Sequence, residues 1–404
     1  MKPYKIYAET LENDALDQFN DAMDQDFVVS GALMPDAHTG YSLPIGAVVA
    51  TDGVIVPAWI GYDIGCGMCA LALPDVSVSD VDVHSGDIFD LLYESIPVGF
   101  KINDTGEKYS LKGLSKEGEV IALRKNHHRA IGSLGGGNHF IEIGFDEDNC
   151  IWVVIHSGSR GVGHGIATHY MTKASSDPEK IGIEFDSANK QVKIHNPDQY
   201  DSYKEKFIAK KMGKLRPKEG HYAFDVKSKE GKDYIKDMNW CLEFALANRK
   251  EMMIRVIAVL AAISGKSAYS GDFSELINRN HNHATKRNGL LIHRKGATHA
   301  EEGMMGVIPG NMRDGSFIVK GKGNPESLWS SSHGAGRVMS RKKARDEIDP
   351  ENFIASMRGI TAKVDESTVD ESPEAYKDIF EVMDLQSDLV EVITHIKPMV
   401  NIKG

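Results

Sequence analysis

The stretch that most limits how this chain can fold is GYDIGCGM at 61 to 68, which follows the apolar run AVVATDGVIVPAWI. It sets Asp63 and Cys66 three residues apart among Gly61, Gly65 and Gly67. Glycine takes up backbone conformations closed to other residues, so the chain can fold tightly there and turn a carboxylate and a thiolate toward one cation. Alone, the octapeptide would serve equally as a bend carrying a half-buried acid. A cation needs further donors, and these must come from elsewhere in the chain.

Histidines supply them. Of the 16 in the chain, five stand beside small residues or at apparent strand ends: His38 in MPDAHTGY, His139 in GGGNHFIEI, His156 in VVIHSGSRGVGH, His281 in NRNHNHA and His333 in WSSSHGAGR. A single histidine in such a frame is ordinarily a hydrogen-bonded structural residue. Five of them with Asp63 and Cys66 form a donor set for a first-row divalent metal, and a shared thiolate can bridge two ions. Ligand softness alone favours zinc. Their frames GSLGGGNHF, HSGSRG, PGNMRDGS and SSHGAGR can also present main-chain N–H groups to an anion, with Arg160, Arg337 and Arg341 adding charge. Phosphate is the expected anion. No G-x-x-x-x-G-K-[ST] occurs and no loop has the setting of a dinucleotide G-x-G-x-x-G, so the usual nucleotide folds are disfavoured.

The formal net charge of −11 argues against a protein that coats nucleic acid, because nonspecific affinity comes from neutralising phosphates with lysine and arginine. It leaves room for a local site. Basic clusters occur at 204 to 218, 292 to 297 and 337 to 345; the first reads as a solvated helix face, and the other two lie near histidines. The four cysteines, Cys66, Cys69, Cys150 and Cys241, have no regular spacing, so reduced thiols are expected and Cys66 is available as a ligand. No N-terminal segment joins a basic start to an apolar core. The longest apolar stretch, 252 to 265, is interrupted by Arg255 and is too short to span a bilayer, which gives a cytoplasmic expectation.

Residues 43 to 73 read as β-rich, and IWVVI at 151 to 155 as a buried strand ending at His156. Helical patterning covers 85 to 95 and 115 to 131, and 233 to 263 predicts two helices or one kinked helix. The polar, lysine-rich stretch 175 to 222 reads as an insertion, since chemically loaded motifs lie on both sides of it. From 289, the runs GLLIHR, MMGVIPG and GSFIVKG alternate with glycine turns, and the chain finishes in a tail, HIKPMVNIKG. The pattern predicts an α+β protein, one domain over 1–404, built around a site fed by the whole chain.

GYDIGCGM, GGGNHFIEI, HSGSRGVGH, His281 with Asn282, HRKGAT, SSHGAGRVMSR and the final IKG resemble the signature blocks of the RtcB family of RNA ligases, in the same order. The resemblance runs from MPDAHTG to the last residue. It implies an RtcB-like fold with β-sheets around a dinuclear metal site and flanking helices. It also implies joining of an RNA 2′,3′-cyclic phosphate or 3′-phosphate end to a 5′-hydroxyl end, in RNA repair or tRNA splicing, with GTP, two Mn²⁺ ions and a guanylylated histidine. By motif that histidine is His333, and the metal ligands are Asp63, Cys66, His139, His156 and His281, with Cys66 bridging. His281 is favoured over His283 because Asn282 follows it as in the family.

The guanylate pocket implied by the resemblance draws on Asn138, His139, Phe140, Ile141 and Glu142, on His281 and Asn282, and on Pro309, Gly310, Asn311 and Met312 with Ser316. It continues through His333, Gly334, Ala335 and Gly336 to Tyr376 and Lys403. Arg160, Lys295, Arg337 and Arg341 are the RNA or phosphate contacts. Asp36 and His38 match a family block of less defined role. The chain departs from the family at Asn311, where better-known members carry serine, at charged Arg313 and Asp314, and at His299, where arginine is common. These changes fit a divergent member devoted to repairing cleaved RNA. The competing readings are a 3′-end guanylyltransferase or cyclic phosphodiesterase without ligation, and a non-catalytic RNA sensor, which would have no use for a nucleophile at His333.

Overall fold

The computed structural model describes residues 2–106, 108–176, 185–189, 197–212, 220–265 and 267–404. Residues 177–184, 190–196 and 213–219 of the 175–222 stretch lie outside these residues; within it, Pro197–Met212 is helical. No helix among the described residues is long and apolar enough to cross a membrane.

Two sheets carry the site. The larger runs in the order Met305–Pro309, Ser316–Gly321, Val390–Lys403, Phe140–Phe145, Ile151–Ser157, Gly67–Leu73 and Ile277–Asn280, with Thr361–Ala362 lying against Val390–Lys403. The smaller has the order Tyr4–Ile6, Val28–Tyr41, Leu43–Thr51, Leu290–Lys295 and Asn282–Arg287. Alternation along each strand divides the large sheet into two faces. Cys69, Leu71, Ile141, Ile143, Val153 and Ile155 point to one side and pack on Ile88, Leu92, Met252, Met253 and Val256 of the helices Ser85–Ser95 and Lys229–Ser264. Met68, Ala70, Phe140, Val154 and Ile318 face the other way.

That second face turns polar toward one end. Met68 and Phe140 both stand opposite His156, Lys403 stands opposite Phe140, and Asn401 opposite Glu142. His156 therefore lies inside its strand, which continues to Ser157, and not at the strand's end. The C-terminal segment is likewise no tail: Val390–Lys403 is an inner strand, paired on both sides. Pro398, which has no N–H for a ladder, is accommodated because the register shifts between Pro398 and Val400.

The segment 233 to 263 belongs to a single helix, Lys229–Ser264, with neither break nor second helix. Ser228 caps its start by accepting from the Gly231 N–H, and Gly265, at φ +67°, ends it. The predicted helix over 115 to 131 is instead two, Lys116–Arg124 and His127–Ala130, parted at left-handed Asn126. Residues 43 to 73 are not strand throughout: the chain leaves the smaller sheet after Thr51, pairs Val54–Ile55 with Phe224–Asp225, and enters the larger sheet at Gly67.

Gly67 is where the large sheet is most crowded. A Cβ there would lie 2.1 Å from the carbonyl oxygen of Arg279 in the neighbouring strand. Gly67→Ala is expected to lower stability by about 1–3 kcal/mol through strand separation, read as a lower urea midpoint; an unchanged midpoint would mean the strands part without cost.

Candidate active site

Five donor side chains converge where the strands Gly67–Leu73, Phe140–Phe145, Ile151–Ser157 and Ile277–Asn280 meet the glycine turn. Cys66 Sγ lies 3.2 Å from His156 Nε2 and 3.5 Å from His139 Nε2. His139 Nε2 is 3.1 Å from Asp63 Oδ2, and His156 Nε2 is 3.2 Å from His281 Nε2. The donors thus form a string, Asp63–His139–Cys66–His156–His281, with the thiol in the middle. The ligand atoms of Cys66, His139 and His156 all lie within 4.8 Å of one another. His283 stands apart, stacked on His299 with ring centroids 4.6 Å apart.

The outer ring nitrogens show that these donors suit a metal. His139 Nδ1 is 2.9 Å from the Leu134 carbonyl and His156 Nδ1 is 3.2 Å from that of Asn138, so each ring's proton is engaged at Nδ1 and its Nε2 lone pair points inward. Burial, and then neighbouring imidazoles, hold His156 and His281 well below the usual histidine pKa. Neutral rings with facing lone pairs call for a cation between them.

Main-chain ties bind the segments that carry these side chains. The His281 N–H donates to the Cys66 carbonyl at 2.7 Å, and the Gly65 N–H to the Asn282 carbonyl at 2.9 Å. Gly65 takes φ +77°, and a Cβ there would press on the Cys241 carbonyl at 3.1 Å. Behind the turn, fully buried Arg249 of the long helix donates to the carbonyls of Gly65 at 3.0 Å and Ser157 at 2.7 Å. It also donates to the amide oxygens of Asn278 and Asn280, both at 2.7 Å. Neighbouring Asn248 accepts from the Gly132 and Ser133 N–H groups and donates to the Ser133 and Gly158 carbonyls. Sequence reasoning missed both residues, which sit in a long helix with no motif.

His333 follows the short strand Ser330–Ser332. Its Nδ1 is 2.6 Å from Oδ2 of fully buried Asp36, which also accepts the His333 and Gly334 N–H groups at 3.1 and 3.3 Å. Burial would raise the Asp36 carboxyl, but His333 beside it brings it below the usual carboxylate range. Lys377 fixes the Asp36 segment by donating to the carbonyls of Pro35 and Ala37. The His333 ring lies 4.8 Å from that of His281, so it adjoins the donor string.

Two cavities meet at His333, Asn138 and Ile45. One, of about 410 Å³, is lined by Asp63, Cys66, His281, Asn282 and Lys295. The other, of about 230 Å³, is lined by His38, Asn138, Phe140, Glu142, His156, residues 309 to 312, residues 333 to 336, Arg337, Arg341, Tyr376, Asn401 and Lys403. Most of the anticipated nucleotide residues thus share one space. His281 and Asn282 open on the other cavity, on the donor side. Ile141 is a correction: strand alternation turns its side chain into the core between sheet and helices.

The small cavity has an unusual floor. Among the residues lining it, Glu142 Oε1 and Asn401 Oδ1 are buried without hydrogen-bond partners. Burial pushes the Glu142 carboxyl up to about 8, against the opposing pull of Ser316 and Lys403. Lys403 Nζ is 2.6 Å from Oε2 of Glu371, a residue the sequence reading did not single out. Glu371 also accepts from Tyr376 at 2.7 Å and pairs with Arg337 at 3.3 Å and Arg341 at 2.7 Å. Burial would raise it, yet Lys403 and Arg341 hold it at about 2. Both arginines therefore stand on the cavity wall beside Lys403, apart from the donor string. Arg160 points inward, with Nε on Ser133 Oγ at 3.0 Å and Nη2 on the Gly99 carbonyl at 2.8 Å. Lys295 Nζ bonds the carbonyls of Tyr41 and Ala58.

The departures from the family pattern form closed local structures. The Asn311 side chain accepts the Arg313 and Asp314 N–H groups and donates to Asp314 Oδ2 at 2.7 Å, while Arg313 pairs with Asp314 at 2.7 Å. His299 Nδ1 is 3.0 Å from Glu301.

The family model described as "tRNA-splicing ligase RtcB" matches residues 18–125 and 107–404. The RNA-splicing ligase RtcB of Escherichia coli (strain K12) is 35% identical over an alignment covering 100% of this chain and 97% of that protein. The tRNA-splicing ligase RtcB of Archaeoglobus fulgidus is 27% identical, covering 98% and 92% respectively. The RNA-splicing ligase RtcB of Mycobacterium tuberculosis is also 27% identical, covering 92% and 96%.

Two substitutions test this geometry. Arg249→Met strands three buried acceptors at about 1–3 kcal/mol each before relaxation, and a fourth, on Asn278, that is part-buried; the expected loss of several kcal/mol is read by urea unfolding, and a change under about 1 kcal/mol would refute the pinning role. Glu142 ionises above its ordinary pKa in the unfolded chain but stays protonated up to about 8 when folded, so it lowers stability progressively as pH rises between those values. Glu142→Gln should therefore gain thermal stability relative to wild type from pH 5 to pH 8; a constant difference across that range would contradict the buried-acid assignment.

Proposed function

The chain belongs to the RtcB family and is an RNA ligase by that kinship, and from this premise we propose that it joins RNA 2′,3′-cyclic phosphate or 3′-phosphate ends to 5′-hydroxyl ends, using GTP and two Mn²⁺ ions through a guanylate on His333. The observation that carries the reading is the position of His333: Nδ1 is anchored on a buried carboxylate, and the ring stands between a donor-lined cavity and one with unsatisfied polar groups.

Asp36 keeps the His333 proton on Nδ1, leaves Nε2 free as a nucleophile, and offsets the positive charge that grows on the ring during attack. Bond formation between Nε2 and the α-phosphorus of GTP breaks the bond to pyrophosphate, which leaves. A 3′-phosphate oxygen of RNA then attacks that phosphorus and displaces His333, giving an RNA end activated as a diphosphate. Attack by the 5′-hydroxyl on the RNA phosphorus expels GMP and closes the phosphodiester. A cyclic end must first be opened by water.

In the nucleotide cavity, Glu142 and Asn401 offer acceptors suited to guanine N1 and N2 donors, and Lys403 offers a donor to O6 or N7. Arg337 and Arg341 give the same cavity positive charge. The donor string divides into Asp63, His139 and Cys66 on one side and Cys66, His156 and His281 on the other. Bound divalent ions would neutralise phosphate charge and act as Lewis acids there. The donor set also suits zinc; Mn²⁺ follows from the family kinship.

Protein incubated with α-labelled GTP and Mn²⁺ should acquire acid-labile, alkali-stable label that His333→Ala abolishes. Asp36→Asn should slow labelling at least about tenfold while leaving metal content unchanged. Label retained by His333→Ala would refute the assignment of the nucleophile.

A further inference from the structure

The donor-lined cavity has one wall that the reaction above does not use. Tyr41, 63% exposed, ends the strand Val28–Tyr41; Tyr62 immediately precedes Asp63; and exposed His164 lies in the helix Arg160–Ala174. The Tyr62 and His164 rings stack, with centroids 5.3 Å apart and planes 23° apart. Tyr41 meets Tyr62 edge-on at 6.2 Å and 88°. Both tyrosines line the same 410 Å³ cavity as Asp63, Cys66, His281 and His333, and Lys295 is fixed beside them on the Tyr41 carbonyl.

We propose that this aromatic wall is a stacking subsite for the unpaired terminal base of the RNA strand that carries the 3′-phosphate. The inference rests on the ligase reading and adds the form of the substrate's end. Bases freed from a duplex stack on tyrosine and histidine faces whatever their sequence, whereas a base inside a helix has both faces occupied. A nucleotide seated here has its base on the tyrosines and its phosphate in the space lined by the donor string and His333. Such a contact gives an acidic protein hold of an RNA end without a broad basic surface. The subsite therefore selects single-stranded ends over blunt ones.

The test uses an RNA 3′-phosphate with 2-aminopurine as its last base, bound to the full-length protein without GTP. Wild type should quench the fluorophore. Tyr41→Ala should abolish the quench and weaken binding by about 5- to 150-fold, and Tyr41→Phe should restore both. An RNA whose last nucleotide is abasic should bind weakly and be indifferent to Tyr41→Ala. Guanylylation of His333 in Tyr41→Ala should match wild type, which establishes that the variant is folded. Equal loss for intact and abasic RNA, or unchanged binding, would overturn the subsite. Tyr41-dependent quenching without joined product would support the subsite and count against the ligation it serves.

Discussion

The site depends on a buried positive charge that belongs to no motif. Arg249 reaches from the long helix to the main chain beside Cys66 and beside His156, and to asparagines on the strand that leads into His281. A guanidinium fully withdrawn from water is costly unless its donors are met, and here hydrogen bonds engage four of its five N–H groups. One rigid fork thereby fixes three segments that lie far apart in the chain. Asn248 extends the same hold to the loop before His139, whose Nδ1 is in turn engaged by Leu134.

Strand register then decides what faces what. Because side chains alternate, His156, Phe140, Glu142, Asn401 and Lys403 share the face opposite the helix-packed core. Charge is divided along that face. The donor string holds three imidazoles and the Cys66 thiol beside Asp63, while the smaller cavity gathers Lys403, Arg337 and Arg341 around Glu371. His333 stands at the boundary, tied by Asp36 to the smaller sheet, with the carboxylate, thiol and imidazole donors on one side and Glu142, Asn401 and Lys403 on the other.

Much of this was legible in the sequence because reactive side chains sat in glycine-rich frames. Asp63 and Cys66 announced a turn, and the structure joins both to His139, His156 and His281 among the five histidines named with them, while His38 lies elsewhere on the Asp36 carbonyl. The sequence reading preferred His281 to His283, and it is the His281 ring that joins the string. What escaped had no local signal. Arg249 and Asn248 look like ordinary helix residues, and Glu371 and Asn401 acquire meaning only through partners distant in the chain. Ile141 came with the GGGNHFIEI block of the resemblance, and the two-residue period of a strand turns it into the core. HIKPMVNIKG reads as a tail in the sequence, yet it belongs to an inner strand in which a register shift accommodates Pro398.

The most direct measurement of the central claim is anomalous X-ray scattering from crystals of the protein soaked in Mn²⁺. The account predicts two ions flanking Cys66 Sγ, one held with Asp63 and His139 and the other with His156 and His281. A single ion, or ions bound away from the thiolate, would contradict it.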